Sequence, residues 1–280
     1  MKKILIPIDF SDFSENALEV AASLAKKLDA DLVVLHMLGL SEAVFTKDEA
    51  QEFMEAQYYM RLAKKRFDAF LDKPFLKGVR IFETVQNYKD FNEINNLVKE
   101  QDIDLVVMGS HGASGLSGLF IGSNTEKVVR TCDIPVLVIK KQRKDFEIKN
   151  AVFASDFEVE NITAYKRALE FFRMFGAKVH LVYVNRPNQY FKSTNEIKKQ
   201  IELFMSIAHH NNVPDDRRVV IVNDYSIEEG LYNFAFKVKA NIIALPTHGR
   251  KGLAHFFKGS IGEDIANRAN LPVITFKIAD

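Results

Sequence analysis

Short apolar runs alternate with longer amphipathic segments along the whole chain. The runs are rich in valine, isoleucine and leucine, which is typical of parallel strands covered by helices on both faces. The segments between them place apolar residues every three or four positions, the period of an amphipathic helix. This alternation predicts an α/β fold with right-handed crossovers onto open parallel sheets. The predicted strands of the first half are 3–9, 31–38, 79–86, 104–109 and 134–140.

Helices are predicted between these strands. Ser14 is the expected N-cap of the first helix, because a serine hydroxyl can accept from an N–H group of the first turn. The last helix should end before Ile134, since the residue before a proline avoids helical geometry. The predicted helices are 14–27, 46–73, 92–101 and a fourth that begins at Gly122-Ser123.

The second half of the chain repeats the first. Segments near the start of each half match at an offset of 147 residues, and those near the end match at 137. The second copy is therefore shorter by ten residues, which are missing between its second and third strands. The repeat predicts two tandem domains, 1–144 and 145–280, and the short charged linker 141–149 predicts that they pack together. The matched segments are 2–10 with 149–157, 30–36 with 177–183, 111–123 with 248–260, and 134–140 with 271–277.

Composition and charge exclude several function classes. The 280 residues include 38 Lys or Arg and 37 Asp or Glu, a formal net charge of +1, so no overall field attracts nucleic acid or an anionic membrane. No apolar run approaches the roughly 20 residues of a spanning helix. The start, MKKILIPIDFSD, has too short an apolar run for a signal peptide and is interpreted as a strand. Cys132 is the single cysteine, which excludes an intrachain disulfide and suits a cytoplasmic location.

A glycine-rich loop follows the fourth predicted strand and ends at a helix start. Ligands of open parallel sheets bind beyond the carboxyl ends of the strands, so this loop should meet the ends of the first two strands. The backbone N–H groups of Gly122, Ser123 and Asn124 could hold phosphate without a lysine. Gly109 and Gly112 are expected to adopt positive φ and to lie against a sugar.

Asp9 ends the first strand beside this loop. A carboxylate suits hydrogen bonds from a base or a hydroxyl better than contact with phosphate, which assigns the base and the phosphates to opposite ends of the site. Two plainer readings stay open at this point. The glycines could serve only as turn residues, and Asp9 could be a helix-capping or turn aspartate.

These residues resemble the universal stress protein family, in its ATP-binding branch. The similarity is carried by ILIPIDFSDFSENALEVAASLA, by DLVVMGSHGASGLSGLFIGSNTEKVVRTCDIPVLVI and by the spacing G-2x-G-9x-G-[ST], and it covers both copies. It implies five-stranded sheets of order 3-2-1-4-5 and family dimerisation through the last strand. A tandem chain would make that contact internally, as a pseudo-dimer of its two copies, which also hides two apolar edges.

The resemblance also implies a ligand and its site. The ligand is ATP, with Mg²⁺ as an option that Ser123 could contact. In the family, the matching aspartate contacts adenine, the two matching glycines lie near ribose and phosphate, and the glycine-serine pair binds phosphates. Carried over to this chain, the site consists of Pro7, Ile8, Asp9, Met37, Gly109, His111, Gly112, Gly122, Ser123 and Asn124.

The second copy departs from this pattern. Pro246 replaces the first glycine of its loop, and proline has no N–H to donate. Glu158 and Glu160 add negative charge close to any anion, although Arg250 could offset it. A nucleotide is therefore expected mainly in the first copy. The residues of a possible second site are Asp156, Gly249, Arg250, Gly259 and Ser260.

Catalytic machinery is not visible in the sequence. His111 and His248 have no partner at metal-ligand spacing, so no protein metal site is predicted, and contact with backbone or phosphate is the expected role. No G-x-x-x-x-G-K-[ST] motif is present, which argues against strong hydrolysis but leaves slow hydrolysis open. The sequence thus predicts a cytoplasmic adenine-nucleotide-binding protein with a stress-response or regulatory role. The alternatives are a ligand-free scaffold that offers helix 48–73 to a partner and a weak ATP hydrolase. A homodimer of the tandem chain also stays open.

Overall fold

The computed structural model describes residues 1–37, 49–86, 94–110, 123–187, 190–214, 218–247 and 270–278. Its Cα positions form two compact units, and each follows one sequence copy closely. In the described part of the chain, no helix is both long and apolar enough to cross a membrane.

The first unit is an α/β layer whose strands follow the order β3-β2-β1-β4-β5, as the family resemblance implies. β1 pairs in parallel with both β2 and β4, and β2 pairs in parallel with β3. All five residues of β4 are buried, which explains its unbroken apolar run. The strands are β1 (Lys3–Ile8), β2 (Asp31–Met37), β3 (Ile81–Gln86), β4 (Leu105–Gly109) and β5 (Val136–Ile139).

In the described residues of the first unit, a helix lies at each position where the sequence predicts one, with ends that differ by up to three residues. α1 buries an alanine-rich and leucine-rich face, with Ala17, Leu18 and Ala21 fully enclosed. The described helices are α1 (Asp12–Leu28), α2 (Glu49–Leu71), α3 (Ile94–Glu100) and α4 (Ser123–Thr131), with a 3₁₀ turn at Pro74–Leu76.

The predicted N-cap of α1 is wrong. The cap is Ser11, whose side chain accepts from the backbone N–H of Ser14 at 3.3 Å. Ser14 instead donates its hydroxyl to the carbonyl oxygen of Ser11 at 2.8 Å and is buried. Asp12 and Glu15 then lie in the first turn, where their negative charges interact favourably with the positive end of the helix dipole.

The second unit has the same design in the order β10-β9-β6-β7-β8. β6 pairs in parallel with β7 and with β9. The β6–β7 register equals the β1–β2 register at the offset of 147 that the sequence repeat predicts, since Asn150 pairs with Lys178 as Lys3 pairs with Asp31. The described elements are β6 (Asn150–Ala154), α5 (Ile162–Arg173), β7 (Lys178–Asn185), α6 (Thr194–Ala208), β8 (Val219–Asn223), α7 (Ile227–Lys237), β9 (Ile242–Thr247) and β10 (Val273–Lys277), with a 3₁₀ turn at Val159–Asn161.

The division into units cuts through two elements of the first sequence copy, because residues 129–137, the end of α4 and the start of β5, belong to the second unit. Within this unit, Lys277 Nζ lies 2.7 Å from Asp133 Oδ1, and the Thr275 hydroxyl donates to the carbonyl oxygen of Val136 at 3.4 Å. The α/β class is confirmed. The domain boundaries at 144 and 145 and the internal pseudo-dimer stay predictions.

Candidate functional site

The candidate site lies at the carboxyl ends of β1, β2 and β4. Pro7 and Ile8 pair with Leu35 and His36, which sets the ends of β1 and β2 side by side. Met37 is the last residue of β2. The structure therefore brings together the residues that the resemblance assigns to the base. Several predicted site residues lie outside the described residues, namely His111, Gly112, Gly122, Gly249, Arg250, Gly259 and Ser260.

Asp9 organises the turn that leads from β1 into α1. Its Oδ1 accepts from the backbone N–H of Ser11 at 3.1 Å and from the Ser11 hydroxyl at 2.5 Å. The turn holds Phe10 in the left-handed region at φ 64°, which is uncommon for a residue with a bulky side chain. Asp9 is therefore a turn aspartate, as the simpler interpretation of this residue predicts. Its contact with a base stays a prediction.

Gly109 has a packing role that the sequence did not reveal. Its φ is not positive, so the expected left-handed conformation is wrong. A Cβ at this position would lie 2.7 Å from the carbonyl oxygen of Phe13 and 2.8 Å from its carbonyl carbon. Glycine is thus required because the first turn of α1 lies directly against the end of β4.

The N-terminus of α4 is fixed beside the same strand end. The buried Thr125 donates its hydroxyl to the carbonyl oxygen of Gly109 at 2.9 Å. Ser123 and Asn124, which precede it, are exposed. Sequence reasoning missed Thr125, and its only signal was a hydroxyl residue in the first turn of a predicted helix. The contact holds the start of α4 at the carboxyl edge with its first residues open to a ligand.

His36 is a second residue that sequence reasoning missed. Its Nδ1 donates to the carbonyl oxygen of Ile8 at 3.2 Å, and its ring centroid lies 4.6 Å from that of Phe10. Burial lowers the pKa of His36, and the nearby Arg66 guanidinium lowers it further, whereas the Ile8 hydrogen bond and Asp9 raise it. These surroundings favour the neutral form of the imidazole at the end of β2.

This lowered pKa predicts a stability loss on acidification. A group with a depressed folded-state pKa favours folding above its unfolded pKa of about 6.5, and this contribution is lost as pH falls through the lower folded value. Wild-type protein should therefore lose more unfolding free energy between pH 7 and pH 5 than His36→Asn does. Urea denaturation of both proteins across this range measures the difference. Parallel pH curves would show that His36 does not titrate as its surroundings indicate.

The second copy repeats the turn but ties it to α6. Asp156 Oδ1 accepts from the backbone N–H of Glu158 at 3.1 Å, and Phe157 is left-handed at φ 57°. Gln200 of α6 donates Nε2 to the carbonyl oxygen of Asp156 at 2.6 Å and to Glu158 Oε1 at 2.8 Å. Lys192 Nζ donates to Gln200 Oε1 at 2.8 Å. These bonds join α6 to the turn across the edge of the sheet.

Each copy has an aromatic pair between the turn and the helix, and these pairs show which helix residues correspond in sequence. Phe10 meets Phe67 edge to face at a centroid distance of 5.5 Å, and Phe157 meets Phe204 in the same way at 5.2 Å. Phe67 and Phe204 differ by 137, so the ten missing residues lie before Phe204, in the loop and the first turns of the helix. The same alignment matches Ala63 of the first copy with Gln200 of the second.

Ala63 is buried and has no side-chain donor, so the first copy cannot form the bonds that Gln200 makes. Arg66 aligns with Leu203 in the same way. The two carboxyl edges therefore differ in chemistry. In both copies the turn packs on an aromatic ring of the helix, and in the second copy hydrogen bonds from Gln200 also tie it to α6.

The model of the universal stress protein family matches residues 1–140 and again 147–277. The chain belongs to this family. A universal stress protein of Methanocaldococcus jannaschii is 32% identical over 151 residues, covering 51% of this chain and 85% of that protein. One of Synechocystis is 21% identical over 315 residues, covering 99% of this chain and 100% of that protein.

A solved universal stress protein from Archaeoglobus fulgidus has the same fold as this family member. It covers 99% of this chain and 97% of its own, at a TM-score of 0.59 and 18% sequence identity. The structural match therefore extends over both sequence copies of this chain. At this identity the similarity concerns the fold alone.

Proposed function

We propose that the first copy binds an adenine nucleotide and that its ligand is ATP, with Mg²⁺ as an optional companion. The observation that carries the proposal is the position of the α4 N-terminus, held by Thr125 on the end of β4 with Ser123 and Asn124 exposed. Such an N-terminus offers backbone N–H groups and a partial positive charge to phosphate. The arrangement therefore fits the phosphates of a nucleotide.

The base is proposed to bind where β1 and β2 end. The half-buried Met37 supplies apolar surface there, the buried Pro7 and Ile8 form the end of β1, and Asp9 supplies acceptor oxygens. We infer a regulatory or stress-response role in the cytoplasm, in which nucleotide occupancy is the signal. Ser123 is the residue that would contact Mg²⁺ through its hydroxyl.

The second copy is proposed to be the weaker site. Pro246 lies in β9 where the first copy has Gly109, and the Asp156 turn is tied to α6 by Gln200. The negative charge of Glu158 also disfavours an anionic ligand at this edge, since like charges repel. A ligand there would have to displace the hydrogen bonds of Gln200 and Lys192.

A thermal shift tests the proposal. ATP at 100 times its Kd is expected to add about 2.7 kcal/mol to the free energy of unfolding. Gly122→Val should abolish the rise in Tm, because a side chain would separate phosphate from the backbone N–H groups. Its matched control is Gly259→Val, the same change in the second copy, which should keep the rise. No shift with ATP in protein stripped of bound ligand would contradict the proposal.

Two observations favour a second candidate function, docking of a protein partner on α2. Met54 is 70% exposed and Tyr58 is 60% exposed, one helical turn apart. Large apolar residues at such spacing suit a partner's apolar surface. A Met54→Ser/Tyr58→Ser variant that loses a bound protein in pull-down, with its nucleotide response intact, would favour the scaffold. Phosphate release over many turnovers, sensitive to Ser123→Ala, would favour an ATP hydrolase.

A further inference from the structure

The cation of Arg66 lies against the turn that follows β1. Cζ of Arg66, on α2, is 5.7 Å from the centroid of the Phe10 ring, within the range of a cation–π contact. Phe10 follows Asp9 directly, so the guanidinium lies close to the proposed base end of the site. Arg66 is exposed, whereas its helical neighbour Phe67 is buried. The guanidinium is therefore accessible to solvent, while the helix surface beside it is well packed.

The ring beneath Arg66 is held on several sides. Phe10 meets both Phe67 and Phe70 edge to face at centroid distances of 5.5 Å, and His36 lies 4.6 Å away. Side chains packed in this way lose little further freedom when a ligand binds. The Phe10 ring beside Arg66 is thus a preorganised surface.

Electrostatics connect the same groups. Both the Arg66 guanidinium and the Asp9 carboxylate act on the pKa of His36, the first lowering it and the second raising it. A cation and an anion therefore both lie near the imidazole at the joined ends of β1 and β2. The second copy keeps the carboxylate as Asp156, but Tyr183 aligns with His36 and Leu203 aligns with Arg66, so the imidazole and the guanidinium are both replaced.

We propose that Arg66 is a binding residue for the base of a purine nucleotide in the first copy, acting from α2 across the turn of Asp9 and Phe10. Its planar guanidinium can stack on a purine face and donate to a ring nitrogen, which a lysine ammonium cannot do in the same way. The inference rests on the proposed nucleotide function and assigns a residue outside the β1, β2 and β4 ends to that site.

The ligand series adenosine, AMP and ATP separates base contacts from phosphate contacts. Arg66→Leu, which installs the residue of the second copy, should weaken all three by a similar factor of about tenfold. Arg66→Lys should recover little of this loss. The matched control is Arg61→Leu, because Arg61 is also an exposed arginine of α2. Its Nε donates to the carbonyl oxygen of Gln57 in the same helix at 3.4 Å. Calorimetric titration measures each affinity.

The NMR titration of His36 checks that the Arg66 guanidinium lies near the imidazole, while the ligand series tests its role toward the base. In Arg66→Leu the NMR titration midpoint of His36 should rise, since a nearby cation has been removed, while unchanged Tm shows that the fold is intact. Unaltered affinities in this variant would overturn the inference, and so would a loss that grows from adenosine to ATP, which would assign Arg66 to phosphate. If wild-type protein binds none of the three ligands, the proposed function fails as well. Binding by wild type with no effect of Arg66→Leu overturns this inference alone.

Discussion

Gly109→Ala is expected to lower the free energy of unfolding by about 2–3 kcal/mol. The new Cβ would lie 2.7 Å from the backbone carbonyl oxygen of Phe13, so either α1 or the end of β4 must move. Backbone in the first turn of a helix cannot shift as a flexible side chain can. Because the Thr125 bond to the Gly109 carbonyl would move with the strand, nucleotide affinity should fall together with stability.

Chemical denaturation compares this variant with Gly78→Ala. Gly78 has nothing within 4 Å of a built Cβ, but its φ is +81°, so alanine there adds backbone strain of about 1–2 kcal/mol without a clash. A Gly109→Ala variant as stable as wild type would mean that the contact with Phe13 is not as close as the structure has it.

Lys140→Met is expected to raise stability at pH 7 by about 1–3 kcal/mol. Lys140 follows β5, and burial lowers its pKa from 10.5 to about 8. Folding must therefore desolvate a charged ammonium at neutral pH, which methionine of similar length avoids. Denaturation midpoints of the variant and of wild type at pH 7 measure the gain. Lys141→Met is the matched control, since Lys141 is exposed.

The pH dependence of this gain has a defined sign. Below pH 8 the lysine is charged in both the folded and the unfolded state, so the folded protein bears the full cost of burying the charge. Between about pH 8 and 10.5 the unfolded chain binds the proton that the folded protein has lost, so wild-type stability rises with pH. The advantage of Lys140→Met should therefore shrink across this range. An advantage that stays constant up to pH 10 would contradict the burial of the amine.

The strands of the first copy could be predicted from sequence because buried parallel strands leave an unbroken apolar run. β1, predicted at 3–9, is Lys3–Ile8, and β4, predicted at 104–109, is Leu105–Gly109. The repeat added the register, since the offset of 147 relates β1–β2 to β6–β7. These features depend on local patterns, which a single sequence contains.

The contacts that shape the site could not be predicted in this way. Gly109 is a glycine because Phe13 lies against it, and Phe10 is held by Phe67, more than fifty residues later. Ser11 rather than Ser14 caps α1 because Asp9 has already turned the chain there. The first two contacts depend on tertiary proximity, for which spacing in sequence gives no signal, and the cap depends on which nearby serine the local turn brings to the helix start.

The asymmetry between the copies was visible in sequence as Pro246 and as the added carboxylates of Glu158 and Glu160. The structure adds Gln200, which bonds the Asp156 turn while its counterpart Ala63 cannot. This difference became apparent only after the two aromatic pairs aligned α2 with α6. It gives the proposed preference for the first copy a second physical basis, independent of the glycine loop.

The number of ATP molecules bound per chain tests the central claim most directly. Isothermal titration calorimetry on protein unfolded, stripped of nucleotide and refolded should give one site per chain, retained in Gly259→Val and lost in Gly122→Val. Two equivalent sites would contradict the asymmetry between the copies. Absence of binding to refolded wild-type protein with native Tm would contradict the nucleotide function itself.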